Sequence, residues 1–181
     1  MRHVASALLL VALAMGGGTA CQATADPPGG GRGGDDEKGR RAAPAWVGDT
    51  VDLRGRAFGE RLRVSVGGWV DPAVSTRAAY QPDTGNRWLG VQLSLVNLGG
   101  RAFDASRATA WAVDGGGKRY PVVRTGAITT GFPLKWNTIA SGEQLDGWLV
   151  FEVPEATRIV RLHATVGKKA LTWQLQHPPS R

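Results

Sequence analysis

Apolar and polar positions alternate most regularly between Arg87 and Asp104, where the chain reads RWLGVQLSLVNLGGRAFD. Leu89, Val91, Leu93 and Leu95 occupy every second position, with Gly90, Gln92 and Ser94 between them. That period predicts a strand with one buried and one solvated face. Asn97 is expected to break the alternation. Gly99-Gly100 then turns the chain, because glycine accepts backbone angles that other residues resist. Leu62, Val64 and Val66 alternate with Arg61, Arg63 and Ser65, and Leu149, Phe151 and Val153 form the inward series of GWLVFEV. Val160, Leu162, Ala164 and Val166 oppose Arg161, His163 and Thr165; past Gly167-Lys168-Lys169, the series Leu171, Trp173, Leu175 follows.

Turn signals separate these runs. Pro72 is expected to limit pairing after Trp69-Val70, Asp83 to Asn86 to form a turn, and Thr109 to Val123 to fold as a hairpin across Gly115-Gly116-Gly117. That glycine run lacks the Gly-Lys-Ser/Thr ending of a phosphate-binding loop. Gly126 to Gly142 (GAITTGFPLKWNTIASG) has no sustained period and is long for a connection. Its Phe132, Leu134, Trp136 and Ile139 predict that part of it packs against the fold. Many short strands, with no helical period after the N-terminal segment, predict an all-β sandwich or barrel.

The N-terminal segment has a different character. Arg2 followed by the apolar run VASALLLVALAM reads as an export signal over residues 1–20, too short for a permanent membrane span. Gly18-Thr19-Ala20-Cys21 resembles a bacterial lipobox, in which the cysteine thiol takes a lipid and becomes the mature N-terminus. Gly18 stands where leucine is usual. The alternative is a soluble secreted protein cut after Ala23-Thr24-Ala25. Cys21 is the single cysteine, so no disulfide can form within the chain. Residues 21–45, rich in Gly, Pro and charge, cannot bury enough apolar surface to offset their ordering entropy and read as a disordered tether. A flexible coil of that length spans roughly 25–30 Å. The folded domain is expected over 46–176, with 177–181 as a polar tail.

The run RWLGVQLSLVNLGGRAFD, taken with SGEQLDGWLVFEVP at 141–154, resembles the domain-of-unknown-function family 4352, found in exported bacterial lipoproteins. The resemblance extends more loosely from about Trp46 to Gln176. It implies an immunoglobulin-like antiparallel β-sandwich of about 7–9 strands and supplies no catalytic residues. Ser141 departs from the family's usual proline, which predicts a looser turn before Gly142.

Composition narrows the chemistry. The chain carries 22 Lys+Arg against 15 Asp+Glu, a net charge of +7, which favours anionic partners without defining a fold. With one cysteine and three histidines there is no metal set and no cofactor motif; His163 alone falls on a strand of the domain. No nucleophile elbow accompanies it, so no Ser-His-Asp triad is expected. Glu143, Asp146, Glu152 and Glu155 are the carboxylates that a carbohydrate-directed enzyme would use; only Glu152 lies within a strand core. They read as solvated groups, and the chain reads as a non-enzyme. Trp88, Trp136 and Trp148 are the candidate ligand or partner contacts. Trp88 and Trp148 lie opposite the Leu/Val face of their strands, Trp136 lies in the long loop, and exposed tryptophan stacks on sugars or anchors partners. The basic residues read as scattered, and neither a recognition helix nor an RNA-binding strand points to nucleic acid.

The expectation is thus a monomeric, non-catalytic binding or interaction module, held outside the cell by an N-terminal lipid on Cys21. Its candidate partners are a cell-wall polymer or an envelope protein. An accessory or structural subunit of an envelope complex is the alternative, and an enzyme built around Glu152 the third reading.

Overall fold

The computed structural model describes residues 44–55 and 57–175. The signal segment, Cys21, nearly all of the tether and the tail lie outside these residues. The described chain forms eleven strands and no helix: β1 (Ala45–Trp46), β2 (Thr50–Arg54), β3 (Arg61–Ala73), β4 (Asn86–Asn97), β5 (Phe103–Asp104), β6 (Thr109–Asp114), β7 (Arg119–Pro121), β8 (Thr138–Ile139), β9 (Gln144–Pro154), β10 (Ile159–Val166) and β11 (Lys169–Gln174). The count exceeds the seven to nine expected because β1, β5 and β8 have two residues each, too few to show a period.

The strands form a five-stranded sheet ordered β1-β11-β10-β6-β7, a four-stranded sheet ordered β2-β3-β4-β9, and the small pair β5-β8. Neighbours are antiparallel except β1 and β11, which run parallel. The protein is an immunoglobulin-like β-sandwich. Its core lies between the two large sheets, as the alternation predicts. Leu62, Val64 and Val66 of β3, Leu89 to Leu95 of β4 at odd positions, and Leu149, Phe151 and Val153 of β9 meet Leu162, Ala164 and Val166 of β10 and Leu171 and Trp173 of β11. Burial of these side chains is the main favourable contribution to folding.

Four local expectations change. Asn97 does not leave the pattern: it points inward after Leu95 and is 0% exposed. Its Nδ2 donates to the carbonyls of Arg101 (2.7 Å) and Ile139 (2.9 Å), and its Oδ1 accepts the Gly99 N–H at 3.0 Å. Pro72 does not end β3, because it sits where the register against β4 already shifts, between Val70 and Ala73. A second irregularity between Ile159 and Arg161 turns Ile159 into the core and leaves Val160 only half-buried. Ser141 does not loosen its turn: its hydroxyl donates to the Gly99 carbonyl at 2.6 Å.

Candidate functional site

The outer face of the four-stranded sheet explains where the tryptophans go. Residues 122–134 cross this face as a strap. The Val123 N–H donates to Val150 O (2.8 Å), the Thr129 N–H to Val74 O (2.8 Å), and the Thr76 N–H to Ala127 O (3.0 Å). Beneath the strap Trp88, Ile128, Val150 and Ala73 make a second hydrophobic cluster, joined by Trp148, Val70 and Val123. Trp88 is therefore on the expected outer face but only 4% exposed, which corrects its standing as an accessible contact. Trp148 is half-buried in the same cluster, and Trp136 is half-buried against the main core. The three do not form one platform. Of the loop's other apolar residues, Phe132 is 80% exposed rather than packed, while Leu134 and Ile139 are buried.

Two glycines make the strap fit. A methyl group on Gly90 would lie 2.9 Å from Val70 Cγ1, 3.0 Å from Ile128 Cδ1 and 3.2 Å from Trp148 Cε3. One on Gly147 would meet the Leu134 backbone. The strap is tied to β9 there: the Trp148 N–H donates to Phe132 O and the Leu134 N–H to Trp148 O, both at 2.9 Å.

Glu152 serves this packing. Its Oε1 accepts the Asn86 side-chain amide (2.9 Å) and the Asp83 N–H (3.0 Å), and its Oε2 accepts the Trp88 indole N–H (3.3 Å). The Asn86 amide, with smaller contributions from the Asp83 N–H and the indole, lowers the carboxyl's pKa against the opposing effect of burial. Asp146 and Glu143 lie six and nine residues before Glu152 along the extended chain of β9, roughly 20 and 30 Å away, so these three do not converge. His163 is half-buried on the outer face of the five-stranded sheet, with Nδ1 3.4 Å from Thr172 Oγ1. Burial first, then Arg161 and Arg119, lower its pKa. Among the described residues no three His, Cys, Asp or Glu side chains gather as a metal site.

The cations behave differently from the sequence reading. Lys168-Lys169, far along the chain from Arg54, arrive beside it at one end of the sandwich. There an open cleft of about 680 Å³ is lined by Leu53, Phe103 and Val166 below, by the cations Arg54, Arg107, Lys168 and Lys169, and by the carboxylates Glu60 and Asp104. Among the described residues these four cations have no salt-bridge partner; Arg61 and Arg63 are instead held by Asp52, at 2.9 and 2.8 Å. Hydrogen bonds from Arg63 and then Arg61 lower the Asp52 pKa to about 2.

The carboxylates at this end are turned onto their own loops. Glu60 Oε2 accepts the Ala57 N–H (3.1 Å), Asp104 Oδ1 the Ser106 N–H (2.9 Å) and Glu143 Oε2 the Ala140 N–H (3.0 Å). The Ser106 hydroxyl and N–H, with Arg107, hold Asp104 ionised by lowering its pKa. Arg54, Gly55, Ala57 and Glu60 also line a second, adjoining cleft, on which Phe58 lies 99% exposed. This basic end is the candidate site. Sequence spacing had no means of finding it, because the loops that build it come from β2–β3, β5–β6 and β10–β11.

No curated protein matches the chain. Among solved structures it resembles the secreted protein MPT63 of Mycobacterium tuberculosis, with a TM-score of 0.53 and 18% identity over 74% of this chain and 98% of that one. An uncharacterised β-sandwich protein of Clostridium difficile gives a TM-score of 0.48 at 13% identity, covering 77% and 99% of the two chains. A conserved hypothetical protein of Bacillus anthracis gives 0.47 at 14%, covering 74% and 95%. These likenesses concern the fold. The family profile described as "Domain of unknown function (DUF4352)" matches residues 60–169, which hold β3 to β10, the strap and most of the basic end, and the chain belongs to that family.

Proposed function

We propose that this protein is an exported, monomeric and non-catalytic interaction module that engages an anionic component of the cell envelope through the basic end of its sandwich. One observation carries the reading. Arg54, Arg107, Lys168 and Lys169 ring an apolar-floored cleft and outnumber its two carboxylates, Glu60 and Asp104, which leaves a formal charge of +2 there. Such a surface attracts polyanions and weakens with salt, since exposed charges are screened within about 10 Å at moderate ionic strength. Export rests on the signal-like residues 1–20, and retention at the membrane on a lipid at Cys21. The separation of Glu143, Asp146 and Glu152 along β9, and the presence of no second histidine beside His163 among the described residues, support a role without catalysis.

The test is sedimentation of the full chain with isolated envelopes, using Cys21→Ser so that no lipid on that residue contributes. Binding is expected to fall steeply with salt and to disappear in Arg54→Glu/Lys168→Glu/Lys169→Glu. Salt-insensitive binding that survives the triple reversal would sink the proposal.

The accessory-subunit reading has one observation in its favour. Beyond Val66, among the described residues, β3 pairs only with β4, so Gly67 to Asp71 present an unpaired edge that another strand can extend. Crosslinking in intact cells from a photoreactive residue at Gly68 would capture a protein partner there; capture of none would remove this reading.

A further inference from the structure

We infer that the anionic component is a lipid surface, which Phe58 enters while Arg54, Arg107, Lys168 and Lys169 contact its phosphates. This rests on the proposed role of the basic end and adds the identity of the partner. Phe58 is the most exposed large apolar residue among the described ones, with essentially its whole ring in solvent.

The described residues around it, Gly55, Ala57, Gly59 and Glu60, are held by backbone hydrogen bonds. The Gly55 N–H donates to Glu60 O (3.0 Å), the Glu60 N–H to Ala57 O (3.2 Å) and the Gly100 N–H to Gly59 O (3.1 Å). Gly99 is packed so closely against the Gly59 carbonyl that no side chain fits between them. Braced residues 57–60 therefore expose one aromatic ring, with exposed Leu98 lining the same cleft and cations on the adjoining one.

The chemistry selects among anionic partners. A soluble polyanion satisfies the arginines and lysines but leaves Phe58 in water. A bilayer offers both layers at once: phosphates for the cations, and an apolar boundary for the exposed ring beside them. The charge arrangement agrees, because the four cations of the cleft outnumber its two carboxylates, Glu60 and Asp104. Each cation near an anionic membrane surface contributes about five-fold in affinity, and insertion of one aromatic ring about ten-fold or more.

The experiment uses the full chain with Cys21→Ser and two probes: vesicles of equimolar phosphatidylglycerol and phosphatidylcholine, and soluble polyphosphate. Phe58→Ser should bind the vesicles about ten-fold more weakly and polyphosphate as before. Lys168→Glu/Lys169→Glu should weaken binding to both. Phosphatidylcholine vesicles alone should bind wild type and Phe58→Ser alike, which subtracts any contribution of the apolar N-terminal segment. Thermal unfolding of each variant should match wild type, since the altered side chains are exposed. If Phe58→Ser binds the anionic vesicles as wild type does, the lipid inference falls, while the wider reading stands on the polyphosphate loss. If the lysine reversals change neither probe, both fall.

Discussion

Asn97 shows how one polar side chain organises an apolar sandwich. Buried amide groups are costly unless satisfied, and this one donates twice and accepts once, tying the end of β4 to the following turn and to β8. Asn97→Asp keeps the shape but cannot donate to the Arg101 and Ile139 carbonyls. It should cost about 3 kcal/mol or more in chemical denaturation, against less than 1 for an exposed change. Glu152→Gln places an amide where the Trp88 indole needs an acceptor, and a loss of about 1 kcal/mol is expected. His163 gives a pH dependence of definite sign. Its folded pKa is lowered from 6.5, so the unfolded chain binds more protons below that pH, and stability falls as pH drops through that window. His163→Gln should flatten the part of the melting-temperature profile between roughly pH 7 and 5; an unchanged slope would refute the assignment.

Among the elements, β4 and β9 are covered on both faces: in β4 the odd positions meet the five-stranded sheet, and Trp88 and Gly90 meet the strap. The inner face was legible because Leu89 to Leu95 repeat every second residue, which is the register of a strand against a core. The strap was not. Its contacts join residues well apart in the chain, Thr76 with Ala127 and Val74 with Thr129 among them, and its sequence has no period that says which face it will cover. Gly90 held the available signal, a glycine inside a strong strand, which marks close approach by another segment. Gly90→Ala crowds Val70, Ile128 and Trp148 and should destabilise the protein by about 1–3 kcal/mol. Gly147→Ala pushes on backbone rather than side chain, so it should also raise amide exchange at Leu134 and Trp148.

At the scale of the whole molecule, composition gave a net charge of +7 but not its geography. Arg54 and Lys168-Lys169 meet because β2 and β10 both run towards the same end, a fact of topology that linear charge runs do not encode. The fold class was readable because every long strand announces its buried face, whereas the basic end is assembled from turns. A last consequence concerns mechanics. The first strand of the described chain lies parallel to the last, with Ala45 opposite Trp173 and Trp46 opposite Gln174, and the Trp173 indole reaches back to the Asp49 carbonyl at 3.4 Å. Traction applied through the chain before Ala45 and after Leu175 thus drags two neighbouring strands past each other instead of unzipping them. Their hydrogen bonds share the load, and the anchoring tryptophan lies in the core. A domain pulled at these two ends should rupture at higher force than one pulled across β7 and β9, a difference that single-molecule extension can measure.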